Sequence, residues 1–235
     1  TIGAIRFFPE MTIALNDELD KICNWLDANR LTLNVIKKTH FMLFSNKKAN
    51  HCCDLKITIN GHYIDRVQCS KFLGVMIDDK LTWKEHIDYI SRKIAKSVGI
   101  LYKAKTCFNQ QTLLTLYNSL VLPLLSYCNT VWGSTHVSKL DRIHKLQKRA
   151  VHIISNAHFK DHTKDLFVKL NMLTIYDINR YLSCMLMYKV KKKLAPSVIN
   201  DMFMYSSNIH NFTTRSSCHQ EFYIPYCRIE TSKRS

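Results

Sequence analysis

The chain has 235 residues, 46% of them apolar and 11% aromatic, enough for a packed core and too many for disorder throughout. It carries 34 Lys and Arg against 18 Asp and Glu, a formal net charge of +16, which points to a polyanionic partner. The glycines are few, Gly3, Gly61, Gly74, Gly99 and Gly133. Their spacing excludes a G-x-G-x-x-G dinucleotide loop, a Walker A loop and a G-x-S-x-G nucleophile elbow.

Residues 12–29 read as a helix, with Leu15, Leu19, Ile22 and Leu26 on one apolar stripe. Residues 39–45 read as a strand. Residues 55–59 and 62–67 alternate around Asn60-Gly61, a strong hairpin signal. A further strand fits Phe72 to Ile77. The first part is therefore expected to be α+β, a small antiparallel sheet with a helix.

After Leu81 the period turns helical, with Thr82 as the expected N-cap. Ile87, Ile90, Ile94, Val98 and Leu101 share one face, and Arg92, Lys93, Lys96, Lys103 and Lys105 lie elsewhere on the helix. A second helix, about 110–122, bends or ends near Pro123. A third starts after Ser138. Leu140, Ile143, Ala150 and Ile154 line one side of it, and Arg142, Lys145, Arg149 and His152 form a basic stripe on another. Two more helices fit residues 164–193, and residues 205–235 read as irregular. Leu113 to Trp132 is uncharged, but its Thr, Asn and Ser residues and Pro123 favour a buried core segment over a membrane span.

The charge is concentrated. From Tyr89 to Lys193 there are 18 Lys and Arg against 4 Asp, and no acidic residue stands between Asp88 and Asp141. An ordinary solvated helix mixes both signs, so residues 84–152, with Tyr89, Tyr102 and Tyr117 interleaved, are expected to contact nucleic acid. Arg92, Lys96, Lys103, Arg142, Lys145 and Arg149 are the expected phosphate ligands. Asp78-Asp79 after a strand admits two readings, a magnesium-binding pair or a polar turn before the next helix. The turn is favoured, because a two-metal site needs a third converging carboxylate. The nine cysteines include no C-x-x-C, and the eleven histidines are scattered. Reduced thiols in an intracellular, nuclear or cytoplasmic protein are expected, with no metal site, no signal peptide and no membrane partner.

Lys71-Phe72-Leu73-Gly74-Val75-Met76-Ile77-Asp78-Asp79-Lys80-Leu81-Thr82-Trp83-Lys84-Glu85-His86-Ile87 resembles the primer-grip segment and following thumb helix of reverse transcriptases from non-LTR retrotransposons of the jockey type. Leu19 to Phe44, with Trp25-Leu26, Asn29, Leu31-Thr32-Leu33-Asn34 and Lys38-Thr39, resembles the helix–strand unit after that family's catalytic aspartates. Pro123 to Gly133 and Leu140 to Ile154 resemble the thumb and its basic helix. Leu170 to Tyr188, Thr213 to Arg215 and Pro225 resemble the tail that follows.

The resemblance implies a C-terminal palm end over 1–80, a helical thumb over 81–155 and a helical, then irregular, extension over 156–235. It implies an RNA-directed DNA polymerase parent that works with Mg2+ on an RNA–DNA hybrid or duplex. Lys38, Phe72, Leu73 and Gly74 would join the nucleic-acid contacts, with Trp83 packed beneath the thumb helix.

The family's catalytic aspartates would lie just before the first helix, where residues 1–10 hold no aspartate. Fingers and the rest of the palm would lie upstream. Both ends read as cuts through a longer protein, so no catalytic residue and no cofactor is assigned to this chain, which is expected to be inactive alone. Asn34-Val35-Ile36-Lys37-Lys38-Thr39 holds one residue more than the family's usual spacing, so either Lys37 or Lys38 matches its lysine. The alternative is a non-catalytic host module that binds nucleic acid or protein on the same fold.

Overall fold

The change of period near Leu81 has its counterpart in two compact units, residues 1–85 and 86–235. The computed structural model describes residues 8–34, 39–44, 55–158, 161–209 and 221–224, with side chains from residue 12 onward.

In the first unit, helix α1 (Phe8–Ala28) carries Leu15, Leu19 and Cys23 at steps of four. They pack with Ile57, Ile59 and Ile64, and with Phe41 and Leu55. The expected stripe ran through Ile22, which is 40% exposed. A strict four-residue step puts Cys23, not Ile22, over Leu19. Strands β1 (His40–Phe41), β2 (Thr58–Ile59), β3 (His62–Tyr63) and β4 (Asp65–Arg66) follow. Asn60 (φ 49°) and Gly61 (φ 77°) close the β2–β3 hairpin in the left-handed region that a two-residue turn requires. Strand β1 pairs with β4 in parallel, His40 opposite Asp65.

Strands β5 (Cys69–Phe72) and β6 (Val75–Asp78) form an antiparallel hairpin, Cys69 opposite Asp78 and Phe72 opposite Val75. The single strand expected from Phe72 to Ile77 is therefore broken. Leu73 (φ 44°) and Gly74 (φ 88°) make the turn. Among the described residues the expected single sheet is instead three two-stranded ladders, two antiparallel and one parallel. The class remains α+β.

Helix α2 (Lys84–Ala104) buries Ile87, Ile90, Ile94, Val98 and Leu101, the face expected from the sequence. Asn109 caps α3 (Gln110–Leu120), its Oδ1 accepting the Thr112 N–H at 2.9 Å. The uncharged segment continues as α4 (Leu122–Ser126), with Pro123 in its first turn, and α5 (Asn129–Trp132), entered through Cys128 at φ 49°. Leu113, Tyr117, Val121, Leu125 and Asn129 recur every four residues, and all are buried. This segment is core, and no described helix is long and apolar enough to cross a membrane. Helices α6 (Val137–Ser155), α7 (Thr163–Lys169), α8 (Ile175–Lys191) and α9 (Ser197–Asn200) complete the unit. Of the tail expected to be irregular, the described part holds a short 3-10 turn at Ser206–Asn208 and one bridge, Tyr205 to Phe222.

Buried polar groups tie these helices together. Gln147 on α6 donates from Nε2 to Tyr117 Oη at 2.9 Å and to the Leu173 carbonyl at 2.8 Å. Its Oε1 accepts the Ile175 N–H at 2.9 Å. Asn179 Nδ2 on α8 donates to Asn129 Oδ1 at 2.9 Å. A Cβ on Gly133 would overlap Asn129 and Asn179, so the close approach there requires glycine.

His86, 2% exposed, meets the Trp132 ring edge-on at 5.3 Å between centroids. Burial pushes its pKa below the ordinary value. The folded state holds the neutral ring, while the unfolded chain takes up a proton near pH 6.5. The unfolded state then binds more protons, and stability falls as pH drops below that value. Melting temperature should decline between about pH 7 and pH 5. His86→Leu should flatten the decline; an equally steep decline in that variant would remove His86 as its source.

Candidate nucleic-acid interface

The exposed side of α2 carries Arg92, Lys96 and Lys103, at steps of four and seven. The exposed side of α6 carries Arg142, Lys145 and Arg149, at steps of three and four. Both rows follow from helical periodicity, because the residues between them form the buried stripes.

One carboxylate links the rows. Asp88 on α2 forms an ion pair with Arg142 on α6. Its backbone carbonyl also accepts Arg92 Nε at 3.3 Å. Arg142, expected as a phosphate ligand, therefore already has a carboxylate partner. The pair spans 54 residues, so no local sequence signal reveals it. Lys96, Lys103, Lys145 and Arg149 have no acidic partner among the described residues. Exposed lysine and arginine without counter-charge suit phosphate tracking, since the charge is not already satisfied.

The aromatics divide. Lys93 Nζ sits 4.6 Å from the centre of the Tyr89 ring, and Tyr102 is exposed. Tyr117, expected among the surface aromatics, is fully buried instead. Its position belongs to the core stripe with Leu113 and Val121, and burial pushes its phenol up to about 12. His152, the last member of the α6 stripe, is half-buried.

In the first unit, Phe72 (63% exposed) and Leu73 (75%) stand at the β5–β6 hairpin tip with Gly74. The exposed apolar tip is a feature to be explained, since burial would be the default for both side chains. Lys37 and Lys38 lie outside the described residues.

The Asp78 side chain faces inward, 8% exposed. Its Oδ2 accepts the Thr82 N–H at 2.8 Å and its Oδ1 the Trp83 N–H at 2.9 Å. Burial alone would raise this carboxyl, but the two amides hold it below the ordinary carboxylate range. Asp78 thus holds the turn that leads into α2. The Thr82 Oγ1 accepts the Lys84 N–H, the first of the helix, in a long 3.5 Å bond, as expected of a residue capping its start. Half-buried Trp83 adopts φ 62° in the same turn. With both Asp78 oxygens occupied, and no cluster of three ligating side chains among the described residues, these residues do not fit a two-magnesium centre.

No family model and no solved structure matches the chain. Curated relatives do. The chain is 28% identical over 158 residues to the RNA-directed DNA polymerase from mobile element jockey of Drosophila melanogaster, covering 66% of this chain and 17% of that protein. It is 28% identical over 171 residues to the corresponding jockey polymerase of Drosophila funebris, covering 72% and 18%. It is 27% identical over 149 residues to the probable RNA-directed DNA polymerase from transposon X-element of Drosophila melanogaster, covering 59% and 16%. The aligned part therefore spans 16–18% of the length of these relatives. Over this stretch the chain is similar to the RNA-directed DNA polymerases of the mobile elements jockey and X-element, in agreement with the resemblance its motifs carry.

Proposed function

We propose that the chain is the palm-end and thumb segment of such a reverse transcriptase, and that α2 and α6 bind the sugar–phosphate backbone of a template–primer duplex. The observation that carries this reading is the pair of exposed basic rows, joined at Asp88, whose Lys96, Lys103, Lys145 and Arg149 lack acidic partners among the described residues. The Phe72-Leu73-Gly74 tip would be the primer-grip turn, on the strength of the resemblance. Binding of this kind is positional and blind to sequence. The segment does not polymerise alone. The carboxylates for two-metal chemistry, with fingers and the rest of the palm, would come from other parts of the parent protein. Acting on nucleic acid, it works inside the cell.

The test is duplex binding across a salt series. The logarithm of affinity should fall linearly with the logarithm of salt concentration. Lys96→Gln, Lys103→Gln, Lys145→Gln and Arg149→Gln should each reduce that slope by about one, equally for unrelated sequences. Arg142→Gln should change it less, because the Arg142 charge is already paired with Asp88. A slope unchanged in all four variants would refute the interface. A parallel primer-extension assay with Mg2+ should show no synthesis, and synthesis would refute the reading of the chain as inactive alone.

A further inference from the structure

Helix α6 carries basic groups on a second face. His144 and Lys148 lie one turn apart, beside the row of Arg142, Lys145 and Arg149. They open onto a cleft of about 510 Å³ formed with α7 and the start of α8. That volume is in the range of ligand-binding clefts, about 300–1,000 Å³. Phe167 and Leu173 supply apolar lining, and Lys164, Lys148 and Asp177 the charged groups. The His144 ring stacks on Phe167, 21° between planes and 6.1 Å between centroids.

The polar groups select the occupant. Two lysines favour an anionic chain. A carboxylate lining the cleft disfavours a free anion there and favours N–H donors. One Asp177 oxygen accepts the Thr174 hydroxyl at 2.6 Å, and the other has no donor among the described residues. A nucleobase offers flat apolar faces, N–H donors and acceptors at its edge, and phosphates on either side. Only an unpaired base exposes its faces in this way.

We propose that this cleft takes an unpaired base of a single strand continuous with the bound duplex, its flanking phosphates on Lys148 and Lys164. This rests on the reading of α6 as a duplex-binding helix. Lys148 sits between Lys145 and Arg149 in sequence, so a strand following the basic row reaches the cleft without leaving the helix. The base would lie against the Phe167 and Leu173 walls, with its amino or imino N–H on Asp177.

The experiment compares a blunt duplex with the same duplex carrying a short single-stranded tail, with 2-aminopurine as the first unpaired base. The tail should tighten binding about tenfold, the scale of one stacked base, and binding should quench the fluorophore. The double variant Lys148→Gln/Lys164→Gln and the variant Leu173→Ser should each bring the tailed duplex back to the blunt level. The Leu173 side chain is exposed, so its replacement leaves the core intact. Blunt-duplex affinity should hold in both variants. A tail that adds nothing, a gain that survives both variants, or displacement of the tail by an acidic peptide would overturn the proposal. Salt-dependent blunt binding with no tail effect would leave the thumb reading standing and remove this one. Tail binding and quenching without blunt binding would remove the thumb reading and the continuity with a duplex, and leave the cleft as a site for a base of a free single strand.

Discussion

Gln147→Ala should lower the unfolding free energy of the chain by about 3–5 kcal/mol, measured by urea denaturation followed by circular dichroism. The side chain is fully buried and each polar atom has a protein partner. Truncation leaves the Ile175 N–H and the Leu173 carbonyl without partners in the interior, each costing about 1–3 kcal/mol, and adds a cavity. The Tyr117 hydroxyl loses its donor as well. Tyr117→Phe is the control. It removes one acceptor, while Nε2 keeps the Leu173 carbonyl, so about 1 kcal/mol should be lost. A loss near 1 kcal/mol for Gln147→Ala would mean that the α3, α6 and α8 ends are not tied through this residue.

The position of Gln147 was legible. Leu140, Ile143, Gln147, Ala150 and Ile154 recur at steps of three and four, so a polar residue stands on the core face of a basic helix. Its partners were not, because Tyr117 and Leu173 lie 30 and 26 residues away. The same division runs through the molecule. The buried faces of α2 and α6 follow from a period sustained over 21 and 19 residues. Asn60-Gly61 announced its hairpin because both residues tolerate the left-handed region. Phe72-Leu73-Gly74-Val75-Met76-Ile77 hid one. An apolar run signals a strand, and leucine at φ 44° is a cost imposed from outside the local sequence. The break at Val121 was signalled by Pro123, whereas the one at Cys128 was hidden, since the four-residue apolar spacing runs through it. At the interface, exposure of the basic rows was readable from helical phase. The ion pair that removes Arg142 from the free cations was not, for it depends on how α2 and α6 approach each other.

Asp78→Ala should cost about 2–4 kcal/mol of stability, on the scale of two hydrogen bonds to a buried charged acceptor. The turn it holds is strained at two non-glycine positions, Leu81 (φ 51°) and Trp83 (φ 62°). Left-handed backbone costs about 1–2 kcal/mol per residue, and the amides of Thr82 and Trp83 are the anchors that hold it in place. Asp78→Asn keeps an acceptor but loses the charge, so it should fall between wild type and alanine. The pH dependence has a fixed sign. The folded carboxyl lies below its unfolded value, so its stabilisation is complete above about pH 4 and fades as pH falls through the folded pKa. Denaturation in the alanine variant should lack this acid-sensitive component. Asp79→Ala, next to it, should change stability by less than about 0.5 kcal/mol. That asymmetry separates a structural anchor, which caps the turn's amides, from a metal-binding pair. Adjacent metal ligands would make both substitutions raise stability without Mg2+, through relief of charge repulsion, and abolish any stabilisation by added Mg2+. A cap makes only Asp78 matter, with or without the ion.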